Sequence, residues 1–343
     1  MPRVHILMCT LNGATYLPAQ LQSLVDQTHQ DWGLWVSDDG SSDDTRAVLD
    51  RFARAHPGRD VRIGAGPGQG VAANFLSLLA DPALPPGATV AFADQDDVWL
   101  PHKLTHALCG LGRIVATPGQ PAVYASRTLL TDAQGQVRGT SPYHRRPPGF
   151  GNALVQNILG GNSIVLNPAA VELLRRTVPF ALQGQGHKTG PLPFALQGPG
   201  QGPGQGRGRG QGVPFHDWWV YLVLTGAGGA VLNDLRPGLL YRQHQANVLG
   251  TSGGLRAGLA RLGQITSGTY ADWIGRNIAA LQAMSALLAP DVLTPDHRTM
   301  LDRFAALRAA GTLTTQALRE LGIYRQTAGG DRMLQVLARI GRL

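Results

Sequence analysis

The sequence has 343 residues, of which 43% are hydrophobic and 15% are charged. A chain of this length and composition can bury a core, which excludes a wholly disordered protein and leaves room for one large α/β domain or two smaller ones. The formal net charge of +8 and the 45 glycines are unevenly distributed along the chain.

Short apolar strands alternate with helix-period segments through the first hundred residues. The predicted strands are 4–8, 34–37, 61–63 and 90–93, and the predicted helices are 17–25, 45–52, 71–79 and one that begins at Pro101. Strands that alternate with helices favour βαβ units. We therefore predict an α/β fold, Rossmann-like, with a mostly parallel sheet flanked by helices, and we expect ligands outside the carboxyl ends of the strands.

Residues 181–213 interrupt this pattern. The segment contains 11 glycines in 33 residues, and the sequence of residues 179–184 recurs at 193–198. Such a composition cannot offset the conformational entropy that ordering would cost. We predict a flexible, low-complexity insertion in an α/β domain that spans residues 1–250.

The strand pattern stops at about residue 251. Helix-period apolar residues follow in 278–288, 300–307 and 333–340 and are interleaved with arginine, which predicts a helical C-terminal region over residues 251–343. This region carries 11 arginines and six acidic residues, whereas the first 250 residues without the insertion are neutral. The basic charge of the chain therefore lies in the insertion and the C-terminal helices.

Carboxylates cluster directly after two of the predicted strands. The clusters are Asp38, Asp39, Asp43 and Asp44 after the second strand, and Asp94, Asp96 and Asp97 after the fourth. Like charges repel unless a cation or a hydrogen-bonding ligand offsets them, and Mg²⁺ or Mn²⁺ takes carboxylates together with substrate phosphates. We expect a metal–diphosphate site at the second cluster, because a helix cap does not need three carboxylates, and capping roles for Asp43 and Asp44.

A glycine-rich segment at residues 64–70 presents a competing interpretation. Residues 68–73 satisfy the G-x-G-x-x-A pattern of a dinucleotide-binding turn. The segment follows the third predicted strand rather than the first, and the next strand ends in three carboxylates rather than in one acidic residue suited to a ribose. We therefore disfavour a nicotinamide or flavin cofactor.

With these residues in view, residues 4 to about 250, without the insertion, resemble the family 2 glycosyltransferases, inverting nucleotide-sugar-dependent enzymes of the GT-A fold. More narrowly, they resemble the rhamnosyltransferase-like members that build bacterial polysaccharide and O-antigen chains. The matching segments, in order, are CTLNG at 9–13, SDDGS at 37–41, NFL at 74–76, DQDDVWLP at 94–101, GGNS at 160–163, HDWW at 216–219 and YRQH at 241–244.

The resemblance implies roles for residues of the first loops. A nucleotide pocket would be lined by three of them: Thr10, Asn12 and Asp39, the last of which contacts the base or ribose. Asp94 and Asp96 match the D-x-D motif of the family, with Asp94 close to the nucleotide sugar. Asp96 would bind Mg²⁺ or Mn²⁺ directly and Asp97 would support it.

The resemblance also implies a reaction centre further along the chain. Asp217 matches the catalytic base, and Gln243 and His244 match a strand-end element near the diphosphate and acceptor. The chain lacks the Q-x-x-R-W motif of processive synthases, which favours single additions. His216 remains a candidate metal ligand or a structural residue, and residues 160–163 form either an acceptor contact or a tight turn.

The predicted function is metal-dependent inverting transfer of a sugar from a nucleotide-diphosphate sugar to a hydroxyl of a glycan or lipid-linked acceptor. Rhamnose is suggested by the resemblance alone. A base on the acceptor's face and a cation on the leaving diphosphate suit this chemistry. The alternative is a catalytically inactive nucleotide-sugar-binding scaffold in a glycan-assembly complex, against which the presence of Asp96 and Asp217 argues. We expect no nucleic-acid partner, because no aromatic–basic strip is present.

Cysteine content and hydropathy bear on localisation. Cys9 and Cys109 cannot form a disulfide framework, the N-terminus lacks the pattern of a signal peptide, and the longest apolar run is far shorter than the ~20 residues of a membrane span. We expect a cytoplasmic protein. Its basic C-terminal helices are predicted to contact the anionic cytoplasmic face of the inner membrane, where a lipid-linked acceptor would lie.

Overall fold

The computed structural model describes residues 1–182, 212–243, 268–288 and 292–343. Nine of their strands form one sheet in the order β3-β2-β1-β4-β8-β6-β9-β5, with β7 paired to β6. The strands are β1 (Val4–Thr10), β2 (Trp32–Asp38), β3 (Val61–Ala65), β4 (Thr89–Asp94), β5 (Val98–Trp99), β6 (Ala122–Thr131), β7 (Val137–Thr140), β8 (Val165–Leu166) and β9 (Ala230–Arg242).

The helices of the described residues cover both faces of the sheet and continue to the C-terminus. They are α1 (Leu17–Val25), α2 (Thr45–Ala55), α3 (Val71–Leu79), α4 (Lys103–Ile114), α5 (Phe150–Ala153), α6 (Pro168–Ala181), α7 (His216–Gly226), α8 (Thr269–Leu288), α9 (Pro295–Ala309), α10 (Thr315–Glu320) and α11 (Ala328–Arg339). A 3₁₀ turn, Gly161–Ser163, precedes β8.

The N-terminal half of the sheet is parallel. Strand β1 lies between β2 and β4 and pairs with both in parallel, and all seven of its residues are buried, as expected for a central strand covered on two faces. Successive side chains alternate between the faces: Leu7 joins one hydrophobic core, and Ile6 and Met8 join the other. The predicted βαβ order is confirmed.

The C-terminal half of the sheet is mixed. Strand β8 pairs antiparallel with β4 and β6 through two residue pairs each, whereas β6 and β9 run parallel over ten pairs. Parallel pairing therefore dominates by length, which confirms a mostly parallel α/β sheet.

The C-terminal helices share a core with the sheet. Ile274 of α8, Phe304 of α9 and Leu337 of α11 are buried in the same cluster as Trp219 of α7. The predicted helical C-terminal region is thus confirmed for the residues that the structure describes. The proposed boundary near residue 250 lies outside them, so the division into two regions stays a prediction. In the described ranges no helix combines the length and apolarity that crossing a membrane requires.

The two ends of the predicted insertion meet. The Val213 amide donates to the Ala181 carbonyl at 2.8 Å, and the Arg276 guanidinium donates to the Gly212 carbonyl. Residues 183–211 lie outside the described ranges, so the predicted flexibility of that segment stays a prediction. The junction between α6 and α7 is closed by the flanking residues themselves.

Replacing residues 184–211 with two glycines tests this closure. Because closing a shorter loop costs less entropy, we expect the free energy of unfolding to rise by about 1–2 kcal/mol and the melting temperature to stay equal or to rise. A full-length chain with residues 184–211 scrambled is the control and should melt with the parent chain. A shortened chain that melts well below both would show that the segment contributes to the fold.

Candidate active site

Three loops converge at one edge of the sheet. They follow β1, β2 and β4, and the parallel registers place Thr10 opposite Asp38 and Cys9 opposite Asp94. The carboxyl ends of these strands therefore coincide, as the sequence predicted. Gln95 joins two of the loops, because its side chain accepts from the Leu11 amide and donates to the Leu11 carbonyl, both at 2.9 Å.

Thr10 and Asn12, two predicted nucleotide contacts, bind the last residue of β2 and the loop after it, respectively. The Thr10 hydroxyl is buried and donates to Asp38 Oδ1 at 2.7 Å. Asn12 adopts a left-handed backbone conformation with φ of 51°, and its side-chain oxygen accepts from the Ser42 amide at 2.8 Å. The two residues therefore link the end of β1 and the loop after it to the end of β2 and the loop after it, and their nucleotide contacts stay a prediction.

Asp39 holds the glycine-rich segment that precedes α3. Its Oδ1 accepts from the Gly68 amide at 2.6 Å and its Oδ2 from the Gly70 amide at 3.0 Å. A Cβ on Gly66 would lie 2.6 Å from the same Oδ1, so glycine is required where the backbone passes the carboxylate. The glycines at residues 64–70 thus let the backbone pass close to the Asp39 carboxylate and donate hydrogen bonds to it.

The two aspartates predicted to cap α2 behave differently. Asp44 occupies the N-cap position but its side chain makes no capping hydrogen bond. Asp43 accepts instead from the Thr45 amide at 3.0 Å and from the Ala14 amide at 3.1 Å. The carboxylate that ties the start of α2 to the loop after β1 is therefore that of Asp43.

The second acidic cluster is compact. Carboxylate oxygens of Asp94, Asp96 and Asp97 all lie within 4.8 Å of one another. Asp97 is buried; its Oδ2 accepts from the Asn162 side-chain amide at 2.6 Å, and its buried Oδ1 has no hydrogen-bond partner among the described residues. Hard oxygen donors with one unsatisfied buried atom fit Mg²⁺ or Mn²⁺.

Burial and repulsion make Asp94 and Asp97 stronger proton acceptors than ordinary aspartates. Burial, followed by the charges of Asp96 and Asp217, raises the pKa of Asp94 to about 7. Burial, followed by the charges of Asp94 and Asp96, holds the pKa of Asp97 well above its usual range. A bound cation would offset this repulsion, so the electrostatics of the cluster suit a metal site.

Asp217 lies in the first turn of α7, and its charge contributes to the raised pKa of Asp94. Its Oδ1 accepts from the Trp218 amide at 2.7 Å and its Oδ2 from the Gly161 amide at 3.1 Å. Burial raises the pKa of Asp217 to about 6, although these hydrogen bonds and one from the Asn157 side chain lower it. A half-buried carboxylate with this pKa is suited to accept a proton near neutral pH.

His216 lies in the core. Its ring stacks on Phe75 with centroids 4.1 Å apart and meets the edge of Phe92 at 5.4 Å, and burial lowers its pKa to about 3. The carboxylates of the acidic cluster come together without it. Of the two interpretations of His216, the structure favours a structural residue.

Residues 160–163 form a tight turn, which was one of two interpretations left open. The Ser163 amide donates to the Gly160 carbonyl at 2.9 Å. A Cβ on Gly161 would lie 2.7 Å from His216 Nε2, so the turn packs directly against the start of α7.

Arg242, the last residue of β9, contacts the acidic loop, although the sequence analysis gave it no role. Gln243 follows β9 and its amide donates to the Thr131 carbonyl at 2.8 Å, whereas His244 lies outside the described residues. The preceding Arg242 donates to the Asp96 carbonyl at 3.3 Å and stands 4.8 Å from the Tyr16 ring centroid. Lys103 and Asn162 were also missed, although all three lie in or beside the matched segments.

Comparison with known proteins supports the resemblance. Residues 5–160 match the family model described as glycosyl transferase family 2. The dTDP-rhamnosyl transferase RfbG of Shigella flexneri is 23% identical over 275 residues, which cover 77% of this chain and 80% of RfbG. The glucosyltransferase WfgD of Escherichia coli, named for a UDP-Glc donor and a GlcNAc-diphosphoundecaprenol acceptor, is 32% identical over 110 residues, 29% of this chain and 38% of its own.

Solved structures align along most of the chain. Staphylococcus aureus TarS 1-349 in complex with UDP-GlcNAc covers 99% of this chain and 92% of its own, with a TM-score of 0.47 and 10% identity. The mannosyltransferase PcManGT of Pyrobaculum calidifontis, in complex with GDP-Man and Mn²⁺, covers 94% and 85%, with a TM-score of 0.45 and 17% identity.

The burial of His216 makes a direct spectroscopic test available. With its pKa at about 3, we expect its ring to stay neutral, with ring ¹⁵N chemical shifts of a neutral imidazole, from pH 8 down to about pH 4.5. The same ring in urea-unfolded protein is the control and should titrate near pH 6.5. A midpoint above pH 5 in the folded protein would show that the ring is exposed to solvent.

Proposed function

We propose that the chain, whose residues 5–160 match the family model of glycosyl transferase family 2, is a metal-dependent inverting enzyme of that family. Its donor is a nucleotide-diphosphate sugar, and its acceptor is a hydroxyl of a glycan or lipid-linked glycan. The observation that carries the proposal is the convergence of the Asp94–Asp97 carboxylates on one sheet edge, with Asp217 close enough to raise the pKa of Asp94.

Asp217 is the proposed base. Inverting transfer is a displacement at the anomeric carbon, in which the acceptor hydroxyl loses its proton as the new C–O bond forms and the nucleoside diphosphate leaves. Two backbone amides orient the carboxylate of Asp217. With a pKa near 6 it is mostly ionised at neutral pH and still basic enough to take this proton.

The acidic cluster is the proposed metal site. Asp96 would hold Mg²⁺ or Mn²⁺ directly, with Asp94 beside the donor and Asp97 in support. When bound, the ion neutralises charge that develops on the departing diphosphate. Arg242, which donates to the Asp96 carbonyl, supports the loop that presents these carboxylates.

Thr10, Asn12 and Asp39 are the proposed nucleotide-pocket residues. Both oxygens of Asp39 already accept an amide hydrogen bond, but each carboxylate oxygen has a second lone pair. Asp39 can therefore accept from a ribose or base while it holds the glycine segment. Thr10 and Asn12 would act mainly by shaping the loops. Gln243 and His244 remain proposed contacts of the diphosphate and acceptor.

The names of the relatives suggest the first substrates to test. RfbG is named as a dTDP-rhamnosyl transferase, so we propose dTDP-rhamnose as the first donor. WfgD is named for a diphosphoundecaprenol acceptor, which supports a lipid-linked acceptor in polysaccharide synthesis. We propose that the reaction takes place in the cytoplasm, at the inner membrane.

Helix α11 supports the proposed membrane contact. The exposed Val336 and Ile340 are one turn apart, with Arg332 and Arg339 close to them in the sequence. Apolar side chains beside basic ones suit an anionic lipid surface.

A pH profile tests the assignment of Asp217. We expect kcat/KM to be flat above pH 7 and to fall about tenfold per pH unit below about pH 6, because the protonated carboxylate cannot accept the acceptor's proton. Asp217→Asn should lower kcat by about 10²–10⁴-fold at pH 7 and above while donor binding is retained. The control is Asp302→Asn, at an exposed position of α9. Near-normal turnover by Asp217→Asn would refute the assignment.

Thermal shifts with nucleotides test the donor and the metal together. We expect one nucleoside diphosphate among UDP, dTDP and GDP to raise the melting temperature only when Mg²⁺ or Mn²⁺ is present, because a ligand that binds the native state stabilises it by mass action. Asp96→Ala should abolish the metal-dependent part of the shift, and Asp302→Ala should preserve it. An equal shift with and without EDTA would contradict the metal site.

A further inference from the structure

The turn at residues 160–163, the bridging turn, touches both acidic elements of the site. The Gly161 amide donates to Asp217 Oδ2 at 3.1 Å, and the Asn162 side-chain amide donates to Asp97 Oδ2 at 2.6 Å. Asp97 belongs to the loop after β4 and Asp217 to α7. Adjacent residues of one turn therefore link the proposed metal site to the proposed base.

A buried lysine holds the turn from a third direction. Lys103 is the first residue of α4 and is 1% exposed. Its Nζ donates to the Asn162 carbonyl at 2.6 Å and lies 3.2 Å from the Trp99 ring centroid. An amine donates to a carbonyl in either protonation state, so the contact does not depend on the charge of Lys103. Asn162 is thus held through its carbonyl by Lys103 and through its side chain by Asp97.

The turn has little room to move. A Cβ on Gly161 would lie 2.7 Å from His216 Nε2 and 3.5 Å from the Asp217 Cβ. The buried hydroxyl of Ser163 donates to the Gly160 carbonyl at 2.7 Å. A displacement of Asn162 must therefore move the Asp97 carboxylate, the Gly161 amide, or both.

We propose that Lys103 and Asn162 are positioning residues that, through the bridging turn, fix Asp97 relative to Asp217. The inference rests on the proposed function in that these carboxylates serve the metal and the base. Displacement reactions require their groups to be held within about 0.5 Å of the productive geometry. The turn supplies this constraint across two elements that are otherwise separate.

Lys103→Met and Asn162→Ala test the proposal by two readouts that need no turnover. The first is binding of Mn²⁺ alone, followed by electron paramagnetic resonance of the free ion; we expect each variant to bind about tenfold more weakly, as when a partner of a metal ligand is removed. The second is amide hydrogen exchange at Gly161, which we expect to be at least about tenfold faster because the turn is released.

A double-mutant cycle tests whether Lys103 and Asn162 act through the same turn or independently of each other. Because the turn no longer reaches Asp97 once Asn162 is truncated, Lys103→Met should have little further effect on Mn²⁺ affinity in the Asn162→Ala background. In turnover assays with the donor identified above, each single variant should lower kcat by about 10²-fold, with the KM for the donor within about twofold of the parent value.

Thr177→Val is the matched structural control. This substitution removes the Thr177 hydroxyl, which accepts a hydrogen bond from the buried Trp219 indole at 3.1 Å. It alters no hydrogen bond to the carboxylate of Asp97 or Asp217. We expect it to lower the melting temperature, as loss of a buried hydrogen bond does, and to leave Mn²⁺ affinity and Gly161 exchange unchanged.

The proposal is overturned if Lys103→Met and Asn162→Ala lower only the melting temperature, as Thr177→Val does. If Lys103→Met does not fold, Asn162→Ala decides by the same two readouts. If the parent protein binds no Mn²⁺, the metal part of the proposed function fails, and exchange at Gly161 still decides whether Lys103 holds the turn.

Discussion

The site depends on holding several carboxylates close together. Burial and mutual repulsion hold the pKa values of Asp94 and Asp97 above the usual range, and burial does the same for Asp217, so the ionised cluster opposes its own assembly. Backbone amides and the Asn162 amide partly offset this at Asp97 and Asp217. The strands, the bridging turn and α7 form the framework that keeps these carboxylates together.

The two halves of the framework differ in their construction. On the proposed nucleotide side, parallel strands end together and short polar side chains connect their loops: Thr10 binds the Asp38 carboxylate, and Asn12 and Asp39 bind neighbouring backbone amides. On the base side, Asp217 is carried by a helix whose first turns are packed in the core. The proposed nucleotide side is thus shaped by loop hydrogen bonds, and the proposed base side by helix packing.

The sequence predicted the parallel strands and the convergence, at one sheet edge, of the loops that carry Asp39 and the Asp94–Asp97 cluster, because periodicity locates strands and parallel strands share their carboxyl edge. It did not predict that Asp39 binds Gly68 and Gly70. Nor did it predict that Lys103 reaches Asn162 across 59 positions. These contacts depend on how distant loops pack, and no local pattern records that. The role of His216 stayed open, because the same His-Asp pair occurs in a sequence whether the histidine ring binds a metal or packs against Phe75.

The hydrogen bond between Val213 and Ala181 has a genetic consequence. Because this hydrogen bond joins the end of α6 to the segment just before α7, the packing of the sheet does not depend on the number of residues between them. The unit PFALQG occurs twice here, at residues 179–184 and 193–198, as a duplication within the gene would leave it. Related genes should therefore differ in length most freely at this junction, and it is the natural place to graft a reporter domain.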